Sequence, residues 1–509
     1  MAMAMVSSPS SSSKPNNFPD IFSWLYNLPP FHQWQTMSVN LSRPSDHLTL
    51  SINNSNNSFF SLSISISSNY SHLPVALWTS KKLFPNPNSL KLLDASDTNN
   101  LLPTLLSNFI EDVLKYGPNN THSLKVAADL SGAAAAAADI LNFSFLNLAL
   151  AVCVYEAPDD IRGGCLAALV EQYGGPKSRR ASRTMMRVLG SNVEEQWMRS
   201  MNLAITNWMA EVAAEEVRMP MFSYSVSTAG LWKVQVYCPV MAMEVEKASC
   251  GAAAAATADE RLLFSLRYHQ VEGVIQLNYV VDVQDKWIEV LVNTDNIRCD
   301  VFKLLTDRQL RERGAGASEK HFPSRISLQI SPSVQTSVLS VSVSKSTQNP
   351  RRDLGVEKGI EASFEPPTAI GLHISAGESV TTTLKPWKFE QSVHANTANL
   401  HWFLHDSGDG REVFSSKPSK LALLHPKAWF KNRYSSAARP FTRQGGVIFA
   451  GDEYGERVTW RVDRRAVGRA MEWEIKGCIW LTYWPNKHRT FYTETRKLEF
   501  REILLLNLP

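Results

Sequence analysis

The sequence predicts an α+β protein: an antiparallel β-sandwich of ten or more strands with an inserted or adjoining α-helical block. Three observations predict it. Apolar and polar residues alternate with period two before residue 100. A helical period and alanine-rich composition take over between about 101 and 220. Alternation then returns and dominates to Pro509.

At 509 residues with 44% hydrophobic content, the chain is long enough for two or three domains and a large core. Residues 1–30 read as a disordered Ser-rich tail. Its apolar stretch is too short for a secretory signal, and it has no acid before Asp20; an organellar transit peptide is the alternative. Residues 31–100 hold the first strands. In "SFFSLSISISSN", Leu62, Ile64 and Ile66 point one way and Ser61, Ser63, Ser65 and Ser67 the other, the pattern of a half-buried antiparallel strand. An isolated hairpin is marginal in water, so these strands are expected to join the C-terminal sheets, making the helices an insertion. If they do not pair there, the chain is an α domain followed by a β domain.

Residues 101–220 form the expected helical block of five or six helices. Leu105, Leu106, Phe109, Ile110, Val113 and Leu114 recur at i, i+3, i+4 spacing, and Trp197, Met201, Ala204, Ile205 and Trp208 form one stripe. That stripe reads as core. "ILNFSFLNLALAVCVY", Ile140 to Tyr155, carries no charge, but it is short of the ~20 residues a bilayer span needs, and Asp139 stands at its start. A buried core helix is expected, and no transmembrane span.

Residues 221–509 form the expected sandwich domain. "LWKVQVYCPV", "RLLFSLRYH", "GVIQLNYVVDV", "KWIEVLVNTD", "RISLQI", "SVLSVSVSK", "LHWFLHD", "EWEIKGCIWLTYW" and "HRTFYTETRKLEF" all read as strands.

Formal charge is +4, too small by itself to imply nucleic acid. Its distribution says more. From His401 to Pro509 there are 19 Lys and Arg against 12 Asp and Glu, leaving 33 against 36 in the rest of the chain. Between Glu412 and Asp452 there is no acid at all. Within that window Lys427, Lys431, Arg433, Arg439 and Arg443 interleave with Trp429, Phe430 and Tyr434. Dense cations beside an aromatic ring suit an anionic surface with some apolar or stacking character. Lys427, Lys431, Arg433, Arg439, Arg443 and Trp429 are therefore the candidate anion-binding residues. The bland alternative is a solvated face whose cations pair with Asp452, Glu453, Glu456 or Asp463.

Signatures of catalysis mostly fail: there is no GxSxG, no GxxxxGK[ST] and no HExxH. His401 and His405 are four apart and Asp406 follows, a set able to hold a transition metal, though a strand ending in a Ser-Gly-Asp-Gly turn explains it as well. Arg179-Arg180-Ala181-Ser182 places two arginines before a serine, so Ser182 is a candidate phosphorylation site beside Gly174 and Gly175. Cys153, Cys165, Cys238, Cys250, Cys299 and Cys478 stand alone, with neither CxxC nor zinc spacing, and fit small buried hydrophobes in a reducing compartment. No motif asks for a cofactor, and none is expected.

"WTSKKLFPNPNSLKLLD", "VQDKWIEVLVNTDNIRCD" and "RQGGVIFAGDEYGERVTWRVDRR" resemble sequences of a plant protein family of unknown function. The resemblance covers most of the chain outside the alanine tracts and the first thirty residues. It implies a plant protein and transfers no catalytic residue or ligand.

The expectation that follows is a non-enzymatic binding or scaffold protein. It would present a basic, aromatic-bearing face to an anionic partner: a phospholipid headgroup, a nucleic acid or an acidic protein surface. No sequence-specific DNA reading is expected. The alternative is a hydrolase or carbohydrate-active enzyme with a cleft near His401, His405 and Asp406. A cytoplasmic setting is expected, with a plastid or other organelle as the alternative.

Overall fold

The structure, a computed structural model, describes residues 18–41, 47–55, 58–67, 74–85, 92–93, 101–118, 136–173, 176–212, 222–246, 260–305, 320–344, 352–356, 380–384, 387–404, 447–450, 457–484 and 494–509. It divides between Pro220 and Met221 into two compact units. Antiparallel sheets dominate, with a set of helices, so the class is α+β.

The first unit opens on helix α1 (Ile21–Tyr26). Asp20 caps it, accepting from the Ser23 N–H at 2.8 Å, and Ile21 and Leu25 are fully buried. The expected tail of 1–30 is thus folded from Phe18 onward. The composition hid a cap followed by apolar residues at i, i+4.

Strands β1 (Thr36–Asn40), β2 (His47–Ser55), β3 (Phe59–Ser67) and β4 (Val75–Thr79) form a four-stranded antiparallel meander. Leu48, Leu50, Ile52, Leu62, Ile64 and Ile66 line its buried face, and the β3 serines are half-buried opposite. Among the described residues these strands pair only with one another. That corrects the expectation that they join the C-terminal sheets. Helices of their own unit cover them: Trp78 donates its indole N–H to Asp112 at 3.0 Å and meets the Phe109 ring at 6.2 Å.

Helices α2 (Leu101–Lys115), α3 (Ala137–Glu156), α4 (Asp159–Tyr173), α5 (Pro176–Leu189) and α6 (Ser191–Val212) follow. α3 touches each of the other helices of the unit. It has the length and apolar composition of a membrane span, yet 83% of its apolar window is buried inside the protein, as in a core helix. Its polar residues are satisfied internally: Asn147 donates to the Phe143 carbonyl at 2.5 Å and accepts from the Tyr173 hydroxyl at 2.8 Å. The Trp197, Met201 and Ile205 stripe is buried, as core.

In the second unit come β5 (Phe222–Thr228), β6 (Leu231–Pro239), β7 (Glu244–Val245), helix α7 (Glu260–Arg267), β8 (His269–Val283), β9 (Trp287–Lys303), β10 (Lys320–Pro332), β11 (Val338–Val343), β12 (Arg352–Val356), β13 (Val380–Leu384), β14 (Trp387–His394), β15 (Thr397–Leu404), β16 (Val447–Ala450), β17 (Arg457–Asp463), β18 (Ala470–Trp484) and β19 (Thr495–Asn507). "RLLFSLRYH" is therefore helix up to Arg267, not strand; a base in its last turn, Arg267, favours that choice.

One sheet runs β11-β17-β9-β8-β6-β5, with β16 also on β9. The other runs β14-β15-β10-β18-β19-β7, and β12 pairs with β13. Both large sheets contribute to one apolar core, including Trp232, Val290 and Trp460 from the first and Leu328, Trp402 and Trp473 from the second. The Trp232 and Trp473 rings meet at 5.5 Å.

Along one side the sheets are stitched by serines. Ser223, Ser225 and Ser227, alternate residues of β5, donate to the Glu502 carboxylate at 2.5 Å, the Ile503 carbonyl at 2.9 Å and the Leu505 carbonyl at 2.6 Å.

Candidate binding surface

The cation-rich window that the sequence nominates, with Lys427, Lys431, Arg433, Arg439, Arg443 and Trp429, lies outside the described residues, as do His405 and Asp406. Ser182 sits within helix α5, 9% exposed, not in a loop. His401 is on β15, half-buried. Burial, aided by the nearby Arg325 charge and opposed by Glu390, holds its imidazole below the usual histidine range. No group of three or more His, Cys, Asp or Glu able to hold a metal occurs among the described residues.

The face of the six-stranded sheet turned away from the core carries the most regular arrangement of charge. Its register brings five residues into one row across five strands. Lys388 on β14 pairs with Phe403 on β15, Phe403 with Arg325 on β10, Arg325 with Trp480 on β18, and Trp480 with Lys497 on β19. Cations and aromatic rings alternate along it. The Arg325 guanidinium carbon lies 4.2 Å from the Trp480 ring centroid and 5.2 Å from that of Phe403, and the Lys497 ammonium lies 5.7 Å from Trp480. A guanidinium between two ring faces is held by their quadrupoles and loses much of its rotamer freedom.

A bulge helps to build this row. The β10–β18 register shifts between Pro323 and Arg325, which sets Arg325 opposite Trp480 while Ile326 and Ile479 face the core.

The next row, two residues along each strand, holds Glu390, His401, Ser327, Cys478 and Glu499. Its acids reach back to the ladder's ends: Glu390 pairs with Lys388 at 2.5 Å and Glu499 with Lys497. The hydrogen bond that Lys497 donates to Glu499 raises its ammonium above its ordinary value. A third row brings Lys476 opposite Arg501, and both pair with Glu474. Burial alone would raise the Glu474 carboxyl, but its two cationic partners hold it below the usual carboxylate range. Among the described residues these three rows therefore carry five cations against two carboxylates, with Glu474 of the following row a third, and the charges are arranged in bands.

Reasoning from the sequence missed Arg325, Lys388, Phe403, Trp480 and Lys497, because their adjacency exists only in the register. Each does occupy a polar-face position of an alternating strand, which was the available signal.

Two other polar features are engaged internally. A cavity of 360 Å³ in the helical unit is lined by Asp20, Asp139, Asn142 and Lys177 over Phe143. Its acids are taken: Asp20 by Ser23 and Asn142, Asp139 by Arg180 at 2.5 Å. In the β unit His269 and His321 are both buried, with ring centroids 5.5 Å apart, and Tyr483 lies 5.3 Å from His321. His269 Nδ1–H donates to the Ser265 carbonyl at 2.6 Å, while His321 Nε2 has no hydrogen-bond partner among the described residues. Burial keeps both imidazoles neutral. It pushes His269 down to about 4 despite the Ser265 bond, and puts His321 well below the usual range with help from His269 and Arg496.

No protein-family model matches the chain, and no curated protein matches it. Among solved structures it is similar to Clostridium perfringens delta-toxin, at 9% identity over 56% of this chain and 99% of that one, with a TM-score of 0.24. It is also similar to the Clostridium perfringens NetB toxin in its membrane-inserted form, at 12% identity over 56% of this chain and 100% of that one, TM-score 0.23. A structure described as a pore forming protein gives 10%, 56%, 100% and 0.21 in the same order. At these values the likeness establishes neither a common fold nor a common function.

Proposed function

We propose that this chain is a non-enzymatic binding or scaffold protein whose β unit presents a basic, aromatic-bearing face to an anionic partner. The row Lys388–Phe403–Arg325–Trp480–Lys497 carries this reading. Its cations are oriented before any partner arrives, so less side-chain entropy is lost on binding. Its end lysines hold their carboxylates at the surface, where an ion pair contributes about 0–1 kcal/mol. A polyanion can displace such partners at small cost and gain through several contacts at once. The two large sheets would be the layers of a β-sandwich, since their inner faces share one core. The thiols of Cys153, Cys238 and Cys299, buried and not joined in disulfides, support a reducing, cytoplasmic setting.

Heparin retention in a salt gradient tests the reading. The wild-type protein is expected to bind, and Lys388→Glu with Lys497→Glu to elute at clearly lower salt. Arg433→Glu with Arg439→Glu serves as a parallel arm for the cation-rich window. Unchanged elution of the Lys388/Lys497 variant would remove the ladder from the account.

A further inference from the structure

We infer that the ladder docks an extended acidic polypeptide segment, a run of aspartate and glutamate lying across the strands along the row from Lys388 to Lys497. This rests on the anion-binding reading above and narrows its partner.

The charge bands argue first. Neighbouring rows on one face lie about 7 Å apart along the strands, close to the Debye length of about 8 Å at physiological salt. A flat lipid surface laid on this face meets the cations of the ladder together with Glu390 and Glu499 beside them. A single extended chain running along the row keeps closest to Lys388, Arg325 and Lys497 and can avoid the acidic band.

The rings argue next. Recognition of single-stranded nucleic acid uses open ring faces as stacking platforms. Here the rings are occupied. Trp480 is 6% exposed with Arg325 and Lys497 beside its ring, and the Phe403 ring has Arg325 at 5.2 Å and His401 at 6.2 Å. They orient cations; they do not offer a surface to a base.

The chemistry of the partner is already present within the protein. Both end lysines hold a carboxylate, so an incoming carboxylate exchanges like for like. The cations recur on every second strand, about 9.5 Å apart, and a flexible acidic run with one carboxylate per residue can meet that interval without strain. Free thiols point to a reducing compartment, which holds acidic protein segments and not exported acidic polysaccharides.

Fluorescence anisotropy of a labelled oligoglutamate peptide with the full-length protein tests the inference. Oligothymidylate and phosphatidylserine vesicles are run in parallel. Lys388→Gln with Lys497→Gln should weaken peptide binding about tenfold, roughly the contribution of two exposed ion pairs. Lys476→Gln with Arg501→Gln removes the same charge from the third row and should leave binding within about twofold. Equal losses in the two variants would show a general charge effect and overturn the ladder as the docking row. Binding of oligothymidylate or vesicles without the peptide would overturn the acidic-segment inference and leave the anion-binding reading standing. Failure of all three probes would overturn both.

Discussion

Arg325 and Trp480 stand opposite each other on β10 and β18, with the guanidinium carbon 4.2 Å from the indole centroid. Because Trp480 is only 6% exposed, the contact is largely shielded from water. Its coupling energy should be about 1 kcal/mol, between the values for exposed and desolvated cation–π pairs. A double-mutant cycle of Arg325→Met and Trp480→Leu, followed by urea unfolding, measures it. A coupling indistinguishable from zero would mean that the two side chains are neighbours without mutual preference.

Acid should loosen the β unit through His269 and His321. Both imidazoles have folded-state pKa values below the unfolded value of about 6.5, so the unfolded chain binds protons first. Their stabilising contribution is complete above that unfolded value and is lost as pH falls toward the folded value, about 4 for His269. His269 alone accounts for up to roughly 3 kcal/mol across that window. Urea midpoints at neutral and acidic pH should diverge in the wild-type protein and converge after His269→Gln with His321→Gln. An equal acid loss in the double variant would assign the effect to other groups.

Gly477 is required for a different reason. It lies opposite Phe500 in the β18–β19 register, and a Cβ there would run into the Phe500 ring. Gly477→Ala must push that ring off its site in the core, so a loss of about 1–3 kcal/mol is expected from thermal or urea unfolding. Phe500→Leu in the same background should recover part of it.

The serine stitch makes a graded prediction. Ser225→Ala and Ser227→Ala each remove one donor to a β19 carbonyl and should cost about 1 kcal/mol. Ser223→Ala should cost more, because its acceptor is the carboxylate of Glu502, which is 1% exposed. Urea midpoints of the three single variants check the order.

Much of the fold was legible because burial follows period. Leu62, Ile64 and Ile66 alternate in the sequence and alternate in the sheet; Trp197, Met201 and Ile205 keep helical spacing and meet in the core. What periodicity cannot supply is pairing. β3 has the same pattern whether it joins the C-terminal sheets or its own meander, and contacts such as Trp78 to Asp112 go with the second. The α7 segment misled for a related reason: an eight-residue helix is too short for its period to stand out from alternation. The ladder was illegible because its members come from five strands spread between Arg325 and Lys497, and a one-residue slip of any strand would turn its member to the core.

Lysine footprinting tests the central claim most directly. The protein is acylated with and without heparin, and modification is read by mass spectrometry at Lys388, Lys497 and Lys476. Protection of Lys388 and Lys497 with Lys476 left reactive is the predicted result. Equal reactivity at all three, with and without heparin, would contradict the claim that this sheet face is where the protein meets its anionic partner.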